Sequence, residues 1–117
     1  MTNSNEEQNE RIEKVLENCT DKSVNAETLT VFHSLLAHAL AIPCEVIGKQ
    51  DLIRYTLQAV ENTGDDMYGL LGKMEMDTDD GKKECLIPLC DVKAVDNRSL
   101  EFALINDYTT WFINNQF

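Results

Sequence analysis

Apolar positions recur at two different spacings along this chain, and each change of spacing marks an element. From residue 26 to 41, Leu29, Phe32, Leu35, Leu36, Ala39 and Leu40 return every three or four positions. That is the repeat of a helix with one buried face. Asn25 is placed to cap it, Glu27 suits its first turn, and Pro43 ends it. A second helical pattern follows Asp96, with Leu100, Leu104, Tyr108, Trp111 and Phe112 on one side and Ala103 and Ile105 flanking. It predicts a helix over 98–114, capped by Asp96 or Asn97. The first pattern is thinner. Ile12, Val15, Leu16 and Cys19 make a narrow stripe over 5–18, opened by a Ser4-x-x-Glu7 capping box, and suit a helix that lies on the surface rather than in the core.

Between the second and third helices the spacing falls to two, and residues 43–95 read as strands. Residues 43–48 form a first short strand. In 52–60, Tyr55, Leu57 and Ala59 alternate with Thr56, Gln58 and Val60, although a helix competes for this stretch. Two apolar runs, 67–76 and 85–90, flank the acidic turn Asp77-Thr78-Asp79-Asp80-Gly81 and predict a hairpin. Gly69 and Gly72 suggest a bulge or tight bend, and Pro88 places its strand at an edge or a bulge. A short strand over 92–95 completes the set. The fold class expected is α+β: a small, strongly bent antiparallel sheet, an SH3-like partial barrel, flanked by three helices. Residues 1–5 are expected to be mobile and 6–117 to form one domain.

Composition narrows the chemistry. The chain has 117 residues and a formal net charge of −11. Such a surface repels phosphate backbones and anionic membranes, so neither nucleic acid nor membrane is an expected partner; cations and basic proteins are. The polar, acidic N-terminus resembles no targeting segment and argues for the cytoplasm. Cys19, Cys44, Cys85 and Cys90 form no paired motif, and His33 and His38 are five apart, so no zinc pattern emerges. The thiols are expected to be free. No phosphate loop or catalytic triad order is present, and a non-enzymatic protein is expected. Asp107, on the apolar last helix, reads as a satisfied structural carboxylate at a helix–sheet seam.

Carboxylates gather at the acidic turn. Asp77, Asp79 and Asp80 lie within five residues, and Asp65 and Asp66 stand at the far end of the same strand. Calcium takes about six to eight oxygen ligands on a backbone that bends. The turn departs from the EF-hand pattern, because Gly81 falls where a third ligand belongs and Lys82 where the glycine belongs. Two readings stay open: a solvated acidic hairpin, and a calcium site with Asp77, Asp79 and Asp80 as main ligands and Asp65 and Asp66 as a second cluster.

Two segments resemble a small family, the cyanobacterial-type acidic calcium-binding proteins (CcbP-like). FHSLLAHALAIPC over 32–44 is similar to that family's aromatic-rich helix and its Leu-x-apolar-Pro step. Ile87-Pro88-Leu89-Cys90-Asp91-Val92 resembles its apolar-Pro-Leu strand, and Ile105-Asn106-Asp107-Tyr108 with Trp111 its final helix. Ala37 and His38 stand where the family carries acidic residues. The resemblance spans 32–112 and implies a non-catalytic α+β domain that binds calcium without an EF-hand. The alternative expectation is an acidic interaction module that binds no metal.

Overall fold

The computed structural model describes residues 4–64 and 67–116, with Ser4 and Asn5 described by backbone alone. Its elements run α1 (Ser4–Val15), α2 (Ala26–Ala39), β1 (Cys44–Gly48), β2 (Arg54–Glu61), β3 (Leu71–Thr78), β4 (Gly81–Pro88), a 3-10 turn (Leu89–Asp91), β5 (Val92–Ala94) and α3 (Leu100–Asn115). The five strands form one antiparallel sheet in the order β4-β3-β2-β1-β5. The expected α+β class and antiparallel sheet are present. The expected closure into an SH3-like partial barrel is not: among the described residues the sheet is open, with β4 and β5 as its edges.

The stretch over 52–60 is a strand, not a helix, but it starts at Arg54. Leu52 and Ile53 belong to the β1–β2 turn. A register shift between Leu57 and Ala59 leaves Gln58 as an extra residue opposite β3. The alternation therefore slips by one, and Val60 takes the buried face after Tyr55 and Leu57 in place of Ala59. So the bulge lies in β2 rather than at the glycines of β3. Gly69 instead bends the chain ahead of β3 at φ +69°, where an added Cβ would strike the Tyr108 hydroxyl and the Phe112 ring. Pro88 is the last residue of the edge strand β4, a position that tolerates its missing N–H.

Asn25 caps α2 as its sequence predicts: its side chain accepts from Thr28 N, and the Thr28 hydroxyl in turn accepts from Asn25 N. For α3 the cap is Ser99, whose hydroxyl accepts from Phe102 N at 3.1 Å, and not Asp96 or Asn97. Asp96 accepts from Arg98 N in the preceding turn. The later start leaves Leu100 exposed and puts Ile105 in the core beside Tyr108, Trp111 and Phe112. Phe32 of α2 stacks on Trp111 at 4.6 Å between ring centroids and meets Tyr108 edge-on at 5.6 Å. The helices cover the sheet face that carries Val46, Leu57, Met74 and Val92.

Helix α1 departs most from its sequence reading. It ends at Val15, not 18, and it is not merely superficial: Ile12 and Leu16 are buried in the common core. It is pinned by Asp107 on α3, which accepts from Gln8 Nε2 at 3.0 Å and from Arg11 Nε and a terminal guanidinium nitrogen at 2.8 and 2.9 Å. Asp107 is a satisfied structural carboxylate, but its seam joins two helices rather than helix and sheet. The expected mobility of residues 1–3 lies outside the described residues, and the helix already includes Ser4 and Asn5.

Candidate functional site

The acidic hairpin is built by close pairing of β3 and β4 down to Thr78 and Gly81, which leaves Asp79 and Asp80 alone as the turn. The Thr78 hydroxyl donates to the Gly81 carbonyl at 2.6 Å, and Gly81 adopts φ +115°, which favours glycine. Asp77, Asp79 and Asp80 are all exposed. Asp77 lies in the ladder opposite Lys82, while Lys82 reaches Glu75 at 3.3 Å. Lysine charge is thus interleaved with the carboxylates, and their mutual repulsion is weaker than the sequence suggests. Among the described residues no group of three or more His, Cys, Asp or Glu side chains could hold a metal ion. Asp65 and Asp66, the second candidate cluster, lie outside the described residues.

The histidines do not meet. His33 Nε2 lies 2.8 Å from the Val60 carbonyl, and His38 Nδ1 lies 2.8 Å from the Ser34 carbonyl. All four cysteines are free and half-buried. Burial pushes the Cys90 thiol up to about 11, aided by the Asp91 charge, and burial with Glu101 does the same for Cys44. Neither is primed as a thiolate.

A groove that the sequence reading missed opens where the core face of the sheet runs past the helices. It has a volume of about 450 Å³. Tyr55, Met76, Cys85 and Ile87 line its sheet side, and the β1–β2 turn with Asp91 forms the opposite wall. The turn is tightly tied. Gly48 N donates to the Ile53 carbonyl at 3.0 Å, Leu52 N to the Gly48 carbonyl at 3.1 Å, and Lys49 N to the Asp91 carbonyl at 2.9 Å. Asp51 accepts from Ile53 N at 2.9 Å and from the Tyr55 hydroxyl at 2.7 Å. Those bonds, Ile53 N first, hold the Asp51 carboxyl below the usual range; the bond to Asp51, then burial, pushes the Tyr55 phenol up to about 12. Leu52 sits on this turn at φ +58° with 68% of its surface exposed. A branched residue is rare in that conformation. The signal available in the sequence was the Gly48-Lys49-Gln50-Asp51 run, a turn composition directly ahead of a strand.

Among the described residues Asp107 is the one buried carboxylate; the others stand at or near the surface. Glu6, Glu7, Glu10, Glu13 and Glu17 are exposed on and just beyond α1. No helix of the described residues is long and apolar enough to cross a membrane. Comparison of the chain with protein-family models, with curated proteins and with solved structures finds no match.

Proposed function

We propose that this protein is a non-catalytic binding module for a basic segment of another protein. The observation that carries the reading is the placement of its carboxylates. With Asp107 alone buried among the described residues, the excess of carboxylates over basic groups there is carried at the surface. A field of that sign attracts and orients basic partners and turns away nucleic acid and anionic membranes. The test is fluorescence anisotropy with a labelled lysine-rich peptide and a glutamate-rich control. The lysine-rich peptide binds at low salt and loses affinity as salt rises, whereas equal binding of both peptides, or of neither, defeats the reading. An SH3-like kinship of the sheet belongs to the same proposal and is supported by the strand order with a 3-10 turn ahead of β5.

Calcium is the second reading. It rests on the three exposed aspartates of the hairpin and on the family resemblance, and it would make the protein a calcium-responsive regulator or buffer. Titration with calcium, with magnesium as control, decides it. A response that disappears when Asp79→Asn and Asp80→Asn are combined would move the function to the metal.

A further inference from the structure

We propose that the basic segment binds as an added strand along the free edge of β4 and drops an apolar side chain into the groove beside it. This rests on the binding-module reading above and gives it a place and a geometry. The β3–β4 register pairs Gly72 with Ile87, Met74 with Cys85 and Met76 with Lys83. In line with that register, Leu89 N donates to the Leu70 carbonyl at 2.9 Å. In an antiparallel ladder the bonded pairs alternate. Ile87, Cys85 and Lys83 therefore spend their backbone groups on β3, and Leu86, Glu84 and Lys82 turn theirs outward. Pro88 falls in the outward set, where its missing N–H costs the sheet nothing.

Side chains divide the same way. Cys85 and Ile87 line the groove, while Leu86 stands 54% exposed on the other face. An incoming strand would thus find main-chain partners on the edge and an apolar slot next to it, the two ingredients of recognition by strand addition. The β1–β2 turn walls the slot opposite the sheet, and the bonds around Gly48 and Asp51 hold the adjoining Leu52 exposed in a conformation leucine disfavours. Strain retained in a tightly bonded turn beside a groove fits a contact residue better than a chance loop.

Charge selects the occupant. Asp51 and Asp91 line the groove, Asp77, Asp79 and Asp80 stand where β4 begins, and Glu84 lies on the edge. Four lysines oppose them: Lys82 is held by Glu75 at 3.3 Å, Lys73 lies 4.0 Å from Glu84, Lys49 lines the groove and donates to the Cys90 carbonyl at 3.1 Å, and Lys83 lines the groove. Carboxylates outnumber lysines here as in the whole chain, so a basic strand is favoured over a neutral or acidic one. The acidic turn then serves to steer a strand rather than to hold an ion. Charges on an edge also discourage pairing with further copies of the same protein.

The probe is a short acetylated peptide of alternating lysine and valine, with alternating glutamate and valine as control, titrated into isotope-labelled protein at low salt. The expected amide shifts fall on Lys82, Glu84, Leu86 and the 48–53 turn. Leu86→Pro, which removes an outward N–H but no bond to β3, should weaken binding at least tenfold. The shift map of the native protein needs no variant, so it stands even where that proline disturbs β4. Shifts confined to the glutamates of α1 would overturn this site while leaving a basic partner in place. Absence of shifts with both peptides would overturn the binding module itself. Concentration-dependent broadening of β4 without peptide would show that the edge takes a second copy instead.

Discussion

Asp107 draws three hydrogen bonds from α1, and removing it leaves Gln8 without its partner and Arg11 without its ion pair. Arg11 is half exposed, so water screens part of the loss. Asp107→Ala is expected to cost about 1–3 kcal/mol, read as a fall in the thermal midpoint of roughly 4 °C per kcal/mol. A double-mutant cycle with Arg11→Ala should return a coupling of about 1 kcal/mol; strict additivity would show that the seam is held by Ile12 and Leu16 alone. The tyrosines supply a pH dependence. Tyr55 keeps its proton to about 12 in the folded chain, against an ordinary value of about 10. Its folded pKa is raised, so the stability it contributes is present below pH 10 and is lost as pH climbs through 12. Cys44 and Cys90, pushed up to about 11, act in the same direction. Trp111 fluorescence in urea should therefore show a midpoint that falls steadily above pH 9, and Tyr55→Phe should make that fall shallower.

At the scale of elements, legibility followed the density of the pattern. Helix α2 carries an apolar residue at nearly every inward position and a capping asparagine, and both its face and its cap were readable. The hairpin was readable because its turn residues are distinctive. Helix α1 was misjudged because four apolar positions cannot reveal that Gln8 and Arg11 also face inward, toward a carboxylate 96 to 99 residues away. The bulge at Gln58 was invisible for another reason: the alternation before and after it is regular, and only the pairing with β3 shows the slip. The groove is a tertiary product of an open sheet edge and a distant turn, which no local spacing encodes. Of the candidate site, Asp79 and Asp80 stand in the turn as expected, but Asp77 belongs to β3, and the lysine opposite it emerges only from the register. These corrections give α1 a structural role. Leu16→Ala, at a fully buried position, is expected to cost about 2–4 kcal/mol. A chain begun at Asn25 should have a lower urea midpoint than the full chain, and an unchanged midpoint would return α1 to the status of a surface appendage.

For the molecule as a whole, one charge distribution governs both folding and binding, with opposite dependence on salt. The net charge is −11, and all but one of the described carboxylates stand at or near the surface. Folding brings those carboxylates together, and the repulsion among them is relieved when the chain unfolds and expands. Raising ionic strength from about 10 mM to about 150 mM shortens the screening length from roughly 30 Å to roughly 8 Å. Contacts such as Arg11 with Asp107, at 2.8 Å, lie well inside that distance and are little affected, while repulsion among the exposed carboxylates is damped. Added salt should thus raise the urea midpoint. Attraction of a basic strand to β4 is screened by the same ions, so over the same range its affinity should fall. Urea melts and peptide titrations in matched sodium chloride series measure the two together. A rising midpoint with falling affinity is the expected pair. Affinity that holds constant while the midpoint rises would mean that apolar burial in the groove, and not the surface field, recruits the partner.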